Sequence, residues 1–133
     1  MSKKNTDVSV PSKAGIVAGQ GGVFRRTEHI KNSADFKRLF KCGKRVSISG
    51  AKLFYAANAL GTNRIGFSLS RGYGNAVQRN RSKRYSREVY RLLKARLNTG
   101  YDLVLLVYPG NDSFNMRCAQ FLMLCRKAGL MRP

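Results

Sequence analysis

The chain has 133 residues, with 26 lysines and arginines against six aspartates and glutamates, a formal charge of +20; the length suits one domain. Such a surplus repels itself in a compact fold and points to a polyanionic partner. No apolar run approaches the ~20 residues that span a bilayer, and the chain's basic helix lacks the exposed apolar face of a surface anchor, so the expected partner is nucleic acid and not membrane.

Three cysteines, Cys42, Cys118 and Cys125, make an odd count without a CxxC pair, and the single histidine, His29, is far from all of them. Zinc binding is therefore poorly supported. The expected compartment is reducing and cytoplasmic.

Residues 1–24 are rich in Ser, Gly, Lys and Val and show no stable period. They read as a flexible basic arm before a domain at 25–133. Lys3 and Lys4 are followed by no continuous apolar stretch, unlike a secretory signal. Asn32 or Ser33 then caps a helix beginning near Ala34, with Asp35 in its first turn and Gly43 at its end. Phe36, Leu39 and Phe40 share one side of this helix. Phenylalanines on a short helix are usually core, but a ring edge that opens into a groove stacks on single-stranded bases, at roughly 1–3 kcal/mol each.

The segment Val46 to Ala57, interrupted by Gly50, has the composition of one long bent strand or two short ones. Gly61-Thr62-Asn63 supplies a turn, and Arg64 to Leu69 reads as a strand completing an antiparallel hairpin with it. A glycine-containing loop, Ser70 to Asn75, leads into a helix running to about Asn98. Leu103 to Tyr108 is the most apolar run and should be a central strand, ended by Pro109-Gly110. Asp112 or Ser113 caps a last helix to about Ala128, with Met116, Leu122, Met123 and Cys125 among its expected buried residues and Cys118 facing the core. The order describes a small α/β sandwich whose sheet is covered largely on one face.

The helix from Ala76 carries the strongest signal. Between Arg79 and Arg96 there are eight Lys or Arg residues and one acid, Glu88. At about 100° per residue, Lys83, Arg87, Arg91 and Lys94 fall in one stripe and Tyr85, Val89, Leu92 and Leu93 fall opposite. A disordered tail would not keep that period, and a solvated helix would interleave Glu for i,i+4 pairing. The charges read as unpaired and directed at RNA or DNA. Arginine matches two phosphate oxygens at once and stacks on bases. Asn80, between two arginines, has donor and acceptor atoms for a sugar, base edge or hydrated ion, and it also reads as a local helix cap; the two roles are compatible.

Protein-side catalysis finds no support in the sequence. His29 stands alone, and Asp7, Glu28, Asp35, Glu88, Asp102 and Asp112 form no D-x-D cluster for a two-metal site. Gly72-Tyr73-Gly74 lacks the third glycine and the following acid of a dinucleotide loop. The chemistry that remains is binding.

Together, Ser33-Ala34-Asp35-Phe36, Phe40, Gly43-Lys44-Arg45, Arg64-Ile65-Gly66-Phe67-Ser68, Gly100-x-Asp102 and above all Gly74-Asn75-Ala76-Val77 followed by Arg79-Asn80-Arg81-x-Lys83-Arg84-x-x-Arg87-Glu88 resemble the protein component of bacterial ribonuclease P, over roughly Arg25 to Leu130. The resemblance implies an α+β two-layer sandwich of order α-β-β-β-α-β-α, like the second domain of ribosomal protein S5, with a left-handed β-α-β crossover. It also implies a protein subunit without catalytic or metal-binding side chains, the RNA subunit and its Mg²⁺ removing the 5′ leader of precursor tRNA. RNA contacts are implied for Arg71, Asn75, Arg79, Asn80, Arg81, Lys83, Arg84, Arg87 and Arg91. A leader cleft between the first helix and the sheet is implied for Phe36 and Phe40, with Tyr73 as a further contact. The implied partners are the RNA subunit and precursor tRNA, with one monomeric protein per RNA. The chain departs from the family at Arg71-Gly72-Tyr73, where relatives commonly carry two lysines and an aliphatic residue. A ribosomal or assembly RNA-binding protein is the competing reading.

Overall fold

In the computed structural model, which describes residues 22–110 and 112–133, the most apolar run in the chain becomes the middle of a sheet. Strand β4 (Tyr101–Val107) lies between β2 (Ala51–Ala57), to which it is antiparallel, and β3 (Arg64–Leu69), to which it is parallel. Strand β1 (Lys44–Ile48) pairs antiparallel with β2, giving the order β1-β2-β4-β3. The expected hairpin between β3 and the strand before it does not form. The hairpin is β1–β2, turned at Gly50 with φ +86. β4 is apolar on both faces, so it buries most surface when flanked and covered on both sides. It therefore inserts between β2 and β3, and the β3-to-β4 connection must be a long crossover. That crossover is α2 (Ala76–Leu93), closed by a 3-10 turn at Lys94–Arg96.

Strand alternation sorts the side chains into two layers. Ala51, Leu53, Ile65, Leu103, Leu105 and Val107 face α2 and α3 (Phe114–Ala128), where Val89, Tyr90, Leu93, Phe121 and Leu124 complete the main core. Phe54 and Val104 face the other way, against Ile30 and Leu39 of the segment that includes α1 (Ser33–Cys42). On α3 the buried residues include Cys118, Phe121, Leu122, Leu124 and Cys125. Met116 and Met123, expected inside, lie outside at 43% and 38% exposure. They are seven residues apart, so they share one solvent-facing line of the helix.

The caps follow sequence chemistry. The Asn32 side chain accepts the Ala34 N–H at 2.7 Å, and that of Ser113 accepts the Met116 N–H at 3.0 Å. Gly43 ends α1 because a Cβ there would stand 2.7 Å from the Leu39 carbonyl oxygen. Gly129, at φ +72, closes α3 in the left-handed conformation.

The arm expected at 1–24 lies outside the described residues except for its last three. Those three belong to the fold. Phe24 stacks on His29 at 3.8 Å and packs edge-on against Tyr90 and Phe67. Gly22 donates its N–H to the Arg91 carbonyl at 3.1 Å. Among the described residues, no helix is long and apolar enough to cross a membrane.

Candidate nucleic-acid interface

The loop before α2 is shaped by backbone geometry. Tyr73 donates its N–H to the Ser70 carbonyl at 3.2 Å and Gly72 has φ +77, so residues 70–73 make a turn needing a positive φ at its third position. That requirement gives a physical reason for glycine at 72. Asn75 and Gln78 then cap α2 reciprocally, each side chain accepting the other's backbone N–H at 2.9–3.0 Å. The cap is therefore Asn75, not Asn80. Asn80 lies within the helix and is exposed.

On α2 the buried line is Ser82, Ser86, Val89, Tyr90 and Leu93, with Leu92 beside it, and Tyr85 is half-buried. At 100° per residue, Asn80, Arg84, Arg87 and Arg91 lie opposite that line, within about 60° of one another. Lys83 flanks them on one side and Arg81 on the other, while Arg79, in the first turn, is half-buried on the same line as Ser82 and Ser86; Arg71 is exposed in the preceding loop.

Serine on the buried line makes room for a group that sequence reasoning missed. The Arg117 guanidinium, 1% exposed, reaches across from α3 and donates to the Ser82 carbonyl at 2.9 Å, Ser82 Oγ at 3.0 Å and Ser86 Oγ at 2.5 Å. It also donates to Asp112, whose other oxygen accepts the Tyr73 hydroxyl at 2.5 Å. Two buried serines at i and i+4 in a basic helix were the available signal. Tyr73 thus belongs to the α2–α3 layer and does not join Phe36 and Phe40 at the other face. Burial and the hydrogen bond to Asp112 push its phenol above the ordinary value.

The acids of the described residues are all engaged. Glu28 binds Lys94 at 2.7 Å, Asp35 binds Arg38 at 3.2 Å, Glu88 binds Arg91 at 2.9 Å, Asp102 binds Arg64 at 2.7 Å and Arg38 at 2.9 Å, and Asp112 binds Arg117. The expectation that the basic stripe is wholly unpaired is corrected at two positions. Arg91 is held by Glu88 and donates to the Gly22 carbonyl, and Lys94 is tied to Glu28 and the Val23 carbonyl. Of the 23 lysines and arginines in the described residues, five are in these ion pairs, which leaves 18 without a carboxylate partner among those residues. Arg79, Arg81, Lys83, Arg84 and Arg87 are all among the 18. With the acids consumed inside the fold, the unneutralised charge is presented outward, where phosphate reaches it.

A second surface lies beside α1. Asp102, 1% exposed, accepts from Arg64, Asn58 and Arg38 and so ties α1 to β3 and β4. Burial opposes its ionisation, but the hydrogen bonds from Arg64, Asn58 and Arg38 outweigh that and hold the carboxyl at a pKa of about 2. Phe36 is half-buried and Phe40 is 36% exposed, its ring edge-on to Phe54 at 4.8 Å. Gly66 lets Phe36 settle on β3, because a Cβ there would stand 2.5 Å from its ring. Past α1 the same sheet face continues through half-buried Lys52, Ser68 and Leu106, which are register neighbours. The result is a shallow aromatic and basic trough.

Among the described residues no group of three His, Cys, Asp or Glu side chains is placed to hold a metal. Burial pushes the Cys118 thiol up to about 11 and that of Cys125 to about 12, so both stay protonated in the core. Cys42 is exposed at the end of α1.

Residues 24–129 match the family model described as Ribonuclease P. The ribonuclease P protein component of Natranaerobius thermophilus is 38% identical over 105 residues, spanning 77% of this chain and 91% of that one. The corresponding protein of Dictyoglomus turgidum is 33% identical over 113 residues, spanning 82% and 95%. Among solved structures, the RNase P protein of Staphylococcus aureus matches with a TM-score of 0.72 at 25% identity over 79% of this chain and 98% of that one. That of Thermotoga maritima matches with a TM-score of 0.66 at 27% identity over 74% and 96%. The spent acids, the outward-facing arginines of α2, the mixed sheet and these matches agree, and the chain belongs to the bacterial ribonuclease P protein family.

Proposed function

We propose that this chain is the protein subunit of ribonuclease P, binding the catalytic RNA and the 5′ leader of precursor tRNA while the RNA performs the hydrolysis. The observation that carries this reading is the outer face of α2. Arg81, Lys83, Arg84 and Arg87 have no carboxylate partner among the described residues, on a helix whose opposite face is packed, and Arg79, half-buried at the first turn, has none either. Such a face docks rigidly on phosphates, with Asn75, Asn80 and Arg71 supplying polar contacts beside it. Arg91, though paired with Glu88, stays more than a third exposed and adds its charge to the edge of that face.

The trough beside α1 suits the leader. Phe40 offers a ring face for stacking, Phe36 backs it, and Lys52 supplies a cation on the floor. Tyr73 acts indirectly, by fixing the loop that carries Arg71. Mg²⁺ serves the reaction on the RNA, since every acid in the described residues is already committed to a cation of the fold. The protein's contribution is to raise substrate affinity and screen repulsion between RNAs, which lowers the Mg²⁺ demand. One monomeric protein per RNA, in the cytoplasm, completes the reading.

The test is cleavage of a 5′-extended precursor tRNA by a bacterial ribonuclease P RNA at limiting Mg²⁺, with this protein, without it, and with protein alone. Stimulation only when both are present is the expected result. No stimulation returns the chain to another RNA-binding role, and cleavage by protein alone overturns the division of labour.

A further inference from the structure

A cavity of about 400 Å³ lies where β4 leaves the sheet, between the β1–β2 turn and the first turns of α3. Neither the α2 face nor the trough beside α1 uses it. Its accessible wall carries Tyr108 and Met116, 37% and 43% exposed, although both are large apolar side chains. Its inner wall is polar: Gln120 is 9% exposed, Arg117 1%, and Asp112 lies beside them.

Gln120 is built in but incompletely used. Its Oε1 accepts from Arg117 Nε at 3.2 Å, and its Nε2 donates to the Ser49 carbonyl at 3.4 Å, a long contact. An amide nitrogen has two N–H donors, and only one finds an acceptor among the described residues. Gly50 makes room for this group, since a Cβ there would stand 2.7 Å from Gln120 Nε2. Asp112 is neutralised by Arg117 and hydrogen-bonded by Tyr73, so no bare negative charge guards the entrance.

A flat heterocycle with a hydrogen-bonding edge needs this combination. Its faces require an aromatic ring and a soft thioether, and its edge requires a fixed amide. The volume lies within the range of small-ligand sites. We propose that the cavity seats one unstacked nucleobase of single-stranded RNA, its face on Tyr108 and Met116 and its edge on Gln120. The proposal rests on the RNA-binding reading above. The base comes either from the precursor leader or from the RNA subunit, and the chemistry is the same for both.

Two variants test it, Tyr108→Ala combined with Met116→Ala, and Gln120→Met, which keeps the volume and removes the amide. The first pair is exposed, so folding should survive; circular dichroism checks both. Two affinities are measured: protein for the RNA subunit, and holoenzyme for precursor tRNA with a long leader against a one-nucleotide leader. Loss of a stacked base corresponds to about tenfold in affinity, expected in one arm only, and that arm names the source. An abasic substitution at the seated nucleotide should cost the wild-type protein the same factor and the Tyr108→Ala, Met116→Ala protein nothing more. Unchanged affinity in both arms overturns the site. If Arg79→Ala with Arg81→Ala also leaves RNA-subunit affinity unchanged, the RNA-binding reading of α2 fails separately, whatever the cavity variants show.

Discussion

Replacing Asp102 by Asn removes the charge on which α1, β3 and β4 converge while keeping the shape of the side chain. The carboxylate is buried and accepts from Arg64 through Nε and Nη2 at 2.9 and 2.7 Å, from Arg38 at 2.9 Å and from Asn58 at 2.9 Å. An amide in its place turns an NH₂ toward donors. Breaking a fully buried pair costs about 3–5 kcal/mol, but here the Arg38 side chain is 46% exposed and that of Arg64 26%, so both regain some water. A loss of about 2–3 kcal/mol at pH 7 is expected, or roughly 10 °C in Tm for a domain of this size.

The charge part has its own signature. The carboxyl falls from an ordinary 3.8 to about 2 on folding, which at ~1.4 kcal/mol per pH unit contributes about 2 kcal/mol. Because the folded value is the lower one, that stability is complete above about pH 4–5 and disappears as pH falls through 2. Urea titrations of both proteins between pH 7 and pH 2 should therefore show the gap between wild type and Asp102→Asn closing by about 2 kcal/mol as the medium becomes acid. A gap that stays constant would refute the charge assignment and leave only packing.

Three further outcomes discriminate between parts of the structure. Arg79→Ala and Arg81→Ala should each flatten log K against log salt for RNA-subunit binding by roughly 0.7–0.9, with little effect on Tm; an unchanged slope removes them from the interface. Lys94→Ala should leave that slope alone and cost about 1–2 kcal/mol of stability, because its ammonium serves Glu28 and the Val23 carbonyl rather than phosphate. A flatter slope would show that the contact opens when RNA binds. Gly66→Ala places a methyl against the Phe36 ring, which is half-buried and can swing outward, so a cost below about 2 kcal/mol is expected. It should weaken binding of leader-bearing precursor and spare tRNA without a leader, and an equal effect on both would separate Phe36 from the leader.

What the sequence determined by itself was local or compositional. The excess charge, the caps at Asn32 and Ser113, the stop at Gly43 and the apolar run of β4 depend on near neighbours, and each formed as read. The two-faced character of α2 was legible because its period is written along 18 residues. Pairing across distance was not. The sheet order placed β4 between β2 and β3 because the sheet's centre must be covered on both faces, and a hairpin inferred from adjacency cannot express that. The same limit applies to charge: Lys94 looks identical in sequence to Arg84 and Arg87, yet only tertiary contact brings Glu28 and the Val23 carbonyl against it, whereas the ion pair of Arg91 with Glu88 is local and only its bond to Gly22 is tertiary. Burial of Arg117 left only the faint signal of two serines at i and i+4 in α2, since those partners are 31 and 35 positions away. Sequence thus sets how much charge the chain carries, and the fold decides which cations are consumed internally and which are left to meet RNA.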